Sequence, residues 1–284
     1  MDGEVCREIE SANLHLTYQR QHMNSGAIMG IFDGKVALVT GANTGIGLAA
    51  ARDFASKGAS VVIAARREAE GTAAAEQIVS EGGNAIFVKT DVADEAQVKN
   101  MSEQTISTYG RLDYAFNNAG ITGEFSGFVD GTAENFTNVM DINVTAVFLC
   151  MKYEIQEMLK TGGGAIVNNS SIAGEIGGSG TPAYFASKHA VLGLTKTGAK
   201  THGKDGIRVT AVLPGHTQTD MIDAIYDSRG DDRAATKNIV EASIPQGRLG
   251  NPEEIAKVVT WLCSDDASYV NGEGIRIDGG MQSF

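Results

Sequence analysis

The chain has 284 residues, 42% of them hydrophobic and 20% charged, an ordinary globular composition with room for one large α/β domain. A formal net charge of −12 argues against a nucleic-acid partner, for which a basic patch is expected, and no apolar run approaches the roughly 20 residues of a membrane span. The cysteines (Cys6, Cys150 and Cys263) are odd in number and widely separated, so they suggest neither a disulfide framework nor a metal ligand set, and fit a reducing, cytoplasmic compartment best.

Residues 1–30 show no apolar periodicity and no continuous apolar core, so they read as a mobile tail or an upstream start before Met29, and not as a secretory signal. A repeating beat begins at Lys35. Short β-branched runs at Lys35–Thr40, Ser60–Ala65 and Ala85–Val88 alternate with helical stretches at Gly45–Lys57 and Glu68–Glu81. The beat continues through Leu112–Phe116, Gly164–Asn168, Ile207–Leu213 and Gly274–Ile277. The runs lack polar alternation, as expected of strands covered on both faces. Seven strands with intervening helices predict a single doubly wound Rossmann domain over 31–284, with a seven-stranded parallel sheet flanked by helices. Two long helices, Thr132–Lys160 and Pro182–Thr201, carry more apolar and small residues than one buried stripe requires, and could also pack against another copy of the chain. Residues 216–247 break the beat. An amphipathic piece (Met221, Ile222, Ile225, Tyr226) precedes the charged stretch Asp227–Arg233, and a segment of this length is expected to be a lid.

The first strand runs into Thr40-Gly41-Ala-Asn43-Thr44-Gly45-Ile46-Gly47 and then directly into a helix. A glycine turn at a helix N-terminus presents free N–H groups and the positive end of the helix dipole to a phosphate, and it lets a pyrophosphate approach the backbone closely. About 20 residues on, the end of the second strand is expected to meet the adenosine ribose. An acid there would suit NAD. Here the strand ends Ala65-Arg66-Arg67, and a guanidinium matches a 2′-phosphate in charge and shape. The reading is NADP(H), with NAD as the alternative.

Tyr184 and Lys188 are four residues apart, and on a helix such residues share a face. An ammonium beside a phenol favours the phenolate, which is expected to bring its pKa down from about 10 and suit it to acid/base work.

Taken together, these motifs resemble the short-chain dehydrogenase/reductase family over nearly all of residues 34–284. The shared features are T-G-x-x-x-G-x-G at Thr40–Gly47, Asp91-Val92 after the third strand, and Asn117-Asn118-Ala119-Gly120 after the fourth. Others are Asn143 in a helix, Ser171 placed 13 residues before Tyr184, Y-x-x-x-K at Tyr184 and Lys188, Pro214-Gly215 followed by Thr219, and Asp278-Gly279-Gly280. The resemblance implies a hydride-transfer oxidoreductase acting on a small-molecule carbonyl or secondary alcohol. Its catalytic residues would be Asn143, Ser171, Tyr184 and Lys188. It implies a dinucleotide site of Gly41, Asn43, Thr44, Gly45, Ile46, Gly47, Arg66, Arg67, Asp91, Val92, Asn118, Ala119, Gly120, Tyr184, Lys188, Pro214, Gly215, Thr217 and Thr219. Asp91 would meet the adenine amino group, the Pro214–Thr219 stretch would lie beside the nicotinamide, Lys188 would hold the nicotinamide ribose, and Asn143 would hold a water that links Lys188 to solvent. Ser171 would steady the developing alkoxide. A homotetramer is implied, with no nucleic-acid, membrane or metal partner. Two departures stand out. NADP-preferring members often carry a basic residue where this chain has Thr44, and His216 follows Pro214-Gly215 where an apolar residue is commoner. Other open readings are an NAD-dependent alcohol or sugar dehydrogenase and a dinucleotide-binding regulator without catalysis.

Overall fold

The computed structural model describes residues 30–178, 180–228 and 233–283, so the expected tail lies outside the described residues except for Gly30. The strands are β1 (Val36–Thr40), β2 (Ser60–Ala65), β3 (Asn84–Lys89), β4 (Tyr114–Asn117), β5 (Gly164–Asn169), β6 (Ile207–Pro214) and β7 (Gly274–Ile277). They form one parallel sheet in the order β3-β2-β1-β4-β5-β6-β7. The strand order reverses direction between β1 and β4, and at such a switch point the carboxyl ends of the strands open a crevice.

The helices are α1 (Gly45–Ser56), α2 (Glu68–Ser80), α3 (Glu95–Tyr109), α4 (Ala133–Met140), α5 (Ala146–Thr161), α6 (Pro182–His202), α7 (Asp220–Ser228), α8 (Arg233–Ala242) and α9 (Pro252–Cys263). Successive strand residues point to opposite faces of the sheet, and each face has its own core. On one face Val39, Ile63, Phe116 and Val167 pack with Phe54 of α1, Ile78 of α2 and Val259 and Leu262 of α9. On the other, Leu38, Val62, Ala115 and Ile166 pack with Met101 of α3, Val147 and Met158 of α5 and Val191 of α6. Every residue of β1 is buried, which explains the unbroken apolar run in the sequence.

Local chemistry sets the element ends. Asp94 caps α3 by accepting the Ala96 amide at 2.9 Å, and Gly110 ends that helix at φ 77°. Arg208 of β6 donates to the carbonyls of Leu262 (2.6 Å) and Ser264 (3.0 Å), placing a cation on the C-terminus of α9.

The structure differs from the sequence expectations in three places. β4 starts at Tyr114, not Leu112, because the Asp113 carboxylate itself accepts the Val36 amide at 3.0 Å while Arg111 and Lys35 hold that carboxylate. The helix expected over 132–160 is interrupted by a π-helical turn at Asp141–Thr145, which carries Asn143. The segment 216–247 contains two helices, α7 and α8, and Ile222, Tyr226, Val240 and Ile244 form a small core of their own there together with Leu249 just beyond it. Arg233 pairs with both Asp223 and Asp227 across the two helices.

Among the described residues no helix is long and apolar enough to cross a membrane, and no cluster of His, Cys, Asp and Glu could hold a metal ion.

Candidate active site

A crevice of about 630 Å³ opens over the carboxyl ends of β1, β2, β4, β5 and β6. One end is the β1–α1 turn. Gly41 and Gly45 take left-handed φ of 62° and 56°, which a side chain would strain. Thr44 precedes α1 without a side-chain cap, so the first helical N–H groups point into the crevice without that partner. Gly47 is needed for packing: a Cβ there would lie 2.4 Å from the Gly41 carbonyl oxygen and 2.6 Å from Asn118 Nδ2. The turn therefore has the shape and dipole that a dinucleotide pyrophosphate requires.

Asn118 braces the turn from β4. Its side-chain amide donates to the carbonyls of Thr40 (3.0 Å) and Gly41 (3.2 Å), while Thr40 Oγ1 accepts the Asn118 amide at 3.0 Å. Beyond the turn, Ala65, Arg66 and Arg67 after β2 and Asp91 and Val92 after the neighbouring β3 line the crevice. With its amide oxygen facing Arg67, Asn43 accepts from Arg67 Nη2 and Nε at 2.6 and 3.0 Å, and Arg67 also pairs with Glu70 at 3.3 Å. Arg66 is exposed.

At the other end Tyr184, Lys188 and Ser171 come together. Tyr184 and Lys188 share one face of α6, and Lys188 Nζ stands 5.4 Å from the centre of the Tyr184 ring. Lys188 is 5% exposed, donates to the Asn169 carbonyl at 2.8 Å, and is pulled down to about 8 by burial. The Tyr184 hydroxyl departs from expectation. Its pKa is raised by burial, and a hydrogen bond with the Ser171 hydroxyl opposes that rise only in part. The ammonium faces the ring and binds a carbonyl, so it does not pull the phenol down as the four-residue spacing suggested. Ser171 sits in the loop after β5, where its Oγ accepts the Ala173 amide at 3.2 Å.

Asn143 is buried behind this group. It accepts the Ile121 amide and donates to the Ile121 carbonyl, both at 2.8 Å, and donates to Ser187 Oγ at 3.0 Å. A Cβ on Gly120 would lie 3.1 Å from Asn143 Oδ1 and 3.7 Å from Lys188 Nζ, so Asn143 and the lysine converge on that glycine.

Gly41, Asn43, Thr44, Gly45, Ile46, Asn118, Ala119, Gly120, Pro214, Gly215, Thr217 and Thr219 all line the crevice, as do Ser171, Tyr184 and Lys188. Gly47 and Asn143 support it from behind. Phe125 and Phe185 line the crevice, whereas Phe128, 92% exposed, is not part of its lining. Phe185 lies over Gly178, where a Cβ would fall 2.0 Å from its ring, and Phe125 lies beside Gly180.

Sequence reasoning missed two residues. Asn169 accepts Lys188 and donates to Asn118 at 2.9 Å, and its own Oδ1 is buried without a partner. Its place directly after a buried strand run and two residues before Ser171 was the available signal. Met281 reaches the crevice from beyond β7, and only the fold could bring it there.

The family model described as "Enoyl-(Acyl carrier protein) reductase" matches residues 41–282. The cyclohexanol dehydrogenase of Acinetobacter sp. (strain SE19) is 41% identical over 252 residues, 89% of this chain and 96% of that protein. The 2,5-dichloro-2,5-cyclohexadiene-1,4-diol dehydrogenase of Sphingobium indicum (strain DSM 16412 / CCM 7286 / MTCC 6364 / B90A) is 39% identical over 257 residues, 90% of this chain and all of that one. Among solved structures, levodione reductase superposes with a TM-score of 0.87 at 34% identity, covering 89% of this chain and 99% of that one. The fold, the glycine turn and these similarities agree, and the chain belongs to the short-chain dehydrogenase/reductase family, oxidoreductases that use a nicotinamide dinucleotide.

Proposed function

We propose that the protein interconverts a small cyclic ketone and its secondary alcohol, with NADP(H) as hydride carrier and Tyr184 as the general acid/base. The observation that carries this reading is the meeting of Tyr184, Ser171 and buried Lys188 in the same crevice as the glycine turn. The dinucleotide, when bound, supplies or accepts the hydride at carbon. Gly41–Gly47, Asp91, Val92, the Asn118–Gly120 stretch, Lys188, Pro214, Gly215, Thr217 and Thr219 would hold it. Tyr184 gives its proton to the carbonyl oxygen in reduction and takes it back in oxidation. Desolvation raises the phenol above its ordinary value, so alcohol oxidation, which needs the phenolate as base, should gain as the pH rises. Ser171 donates to the developing alkoxide, and Lys188 keeps a positive charge beneath the ring.

Two features support a cyclic, neutral substrate. The wall beyond Tyr184 is apolar, with Ile121, Phe125, Ile172, Ile176 and Phe185. The cyclohexanol and cyclohexadiene-diol dehydrogenases named above act on six-membered rings. The NADP preference rests on Arg66, exposed at the crevice wall, and on the missing acid at Ala65. Arg67 is taken up by Asn43 and Glu70.

The test is steady-state reduction of cyclohexanone with NADPH and with NADH by the wild type and by Arg66→Ala. The substitution should raise KM for NADPH by about tenfold and leave that for NADH nearly unchanged, since one charge-assisted contact to phosphate is lost. Preference of the wild type for NADH would sink the NADP assignment and leave the NAD-dependent alternative. Absence of any turnover across a panel of cyclic ketones and alcohols would sink the substrate class.

A further inference from the structure

A buried acid that the chemistry above does not use lies behind the sheet. Glu154 of α5 is 1% exposed and faces the apolar core that α3, α5 and α6 build against the sheet. Its Oε2 accepts a hydrogen bond from Asn117 Nδ2 at 3.0 Å. The same amide donates at 3.0 Å to Oδ1 of Asn168, its register partner on β5. Asn168 Nδ2 in turn donates to Thr195 Oγ1 of α6 at 3.0 Å. One chain of side chains thus ties α5, β4, β5 and α6 together beneath the crevice.

Two buried oxygens in that chain lack partners, Glu154 Oε1 and Asn117 Oδ1. A carboxylate can only accept hydrogen bonds, whereas a carboxylic acid carries an O–H that can meet an orphan acceptor. No charged group acts on Glu154. Cys150, one turn earlier on α5, is a titratable group that it acts on, and its own hydrogen-bond partner is the neutral Asn117, which leads on to the neutral Asn168 and Thr195.

The next residue on each strand points to the other side. Asn118 holds the carbonyls of Thr40 and Gly41, Asn169 Nδ2 holds Asn118, and the Asn169 carbonyl accepts Lys188. Two asparagine pairs therefore cross-link β4 and β5 at adjacent positions, one buried in the core and one in the site.

We propose that Glu154 is a positioning residue. As a neutral carboxylic acid it anchors the Asn117–Asn168 pair, and through that pair it fixes the strand ends that carry the glycine-turn brace and the acceptor of Lys188. Burial supports the neutral form, pushing the carboxyl up to about 8. The dinucleotide part of the consequence rests on the function proposed above; the protonation and the strand anchoring do not.

The experiment compares the wild type, Glu154→Gln and Glu154→Ala by three readouts. Infrared difference spectra of wild type minus Glu154→Gln should show the C=O stretch of a protonated carboxylic acid at neutral pH and lose it on alkaline titration. Amide hydrogen exchange in the peptides holding Asn117–Ile121 and Asn168–Ile172 should be about tenfold faster in Glu154→Ala and near wild type in Glu154→Gln, whose amide reproduces one acceptor and one donor. NADPH titrations should show a larger loss of affinity above about pH 8 in the wild type than in Glu154→Gln, where the loss of charge on Lys188 remains but the ionisation of Glu154 does not. An ionised Glu154 at neutral pH, or unchanged exchange at those strand ends in a folded Glu154→Ala, overturns the proposal. If Glu154→Ala does not fold, an identical alkaline loss in the wild type and Glu154→Gln overturns it. Should none of the proteins bind NADPH or NADH, the dinucleotide reading fails, while the infrared band and the exchange rates still decide the role of Glu154.

Discussion

Desolvation raises both the phenol of Tyr184 and the carboxyl of Glu154, and Tyr184 does not behave as its spacing from Lys188 suggests. For Tyr184 the four-residue spacing to Lys188 placed the two groups on one helix face, but spacing says nothing of desolvation or of where the ammonium points. The lysine points to the Asn169 carbonyl, and burial raises the phenol. Glu154 is buried on α5. Its folded carboxyl is raised from 4.5 to about 8, so between those values the native chain binds more protons than the unfolded one, and stability falls as the pH rises. The slope is at most about 1.4 kcal/mol per pH unit for this one group, and it levels off above about 8. Thermal unfolding from about pH 6 to about pH 9 should therefore show a steeper loss of midpoint in the wild type than in Glu154→Gln. Parallel curves would mean that Glu154 is not the group responsible.

At the scale of elements, the seven strands were legible because the inner ones are short runs buried on both faces, and the edge strands β3 and β7, though partly exposed, keep the same apolar, β-branched character. β2 and β7 match their predicted limits, Ser60–Ala65 and Gly274–Ile277. The π-helical turn at Asp141–Thr145 was not legible, since its cause is tertiary: Asn143 must reach both backbone groups of Ile121. Nor was the full helical content of residues 216–247, where α7 and α8 are held by Ile222, Tyr226 and Val240 packing on each other. Glycines in two elements give opposed predictions. Gly47→Ala drives a Cβ to 2.4 Å from the Gly41 carbonyl oxygen, so it should destabilise by about 1–3 kcal/mol and weaken dinucleotide binding. Gly193, in the middle of α6, has open space around it, so Gly193→Ala should stabilise by about 0.5–1 kcal/mol. Denaturant midpoints measure both, and a stabilising Gly47→Ala would contradict the packing account.

At the scale of the whole molecule, strand order brings together what the sequence keeps apart. Thr40 and Ser171 are 131 positions apart, with Asn118 and Asn169 between them, yet the four come together because β1, β4 and β5 are neighbours at the switch point. Family motifs made most of the site legible, whereas the reach of Met281 into the crevice depended on the last strand closing the sheet. We propose that α5 also faces other copies in a homotetramer, since its Phe148 is 52% exposed and its Leu159 is 47% exposed. Light scattering should give the mass of four chains, and Phe148→Glu should shift it to smaller species; a wild-type monomer would refute this assembly. The central claim is that a phenol moves the proton while a bound dinucleotide moves the hydride. Its most direct measurement is NADPH-dependent reduction of a cyclic ketone by Tyr184→Phe, with NADPH affinity determined on the same protein. The account predicts a loss of about 10²–10⁴ in turnover with affinity near that of the wild type, and turnover at the wild-type rate would contradict it.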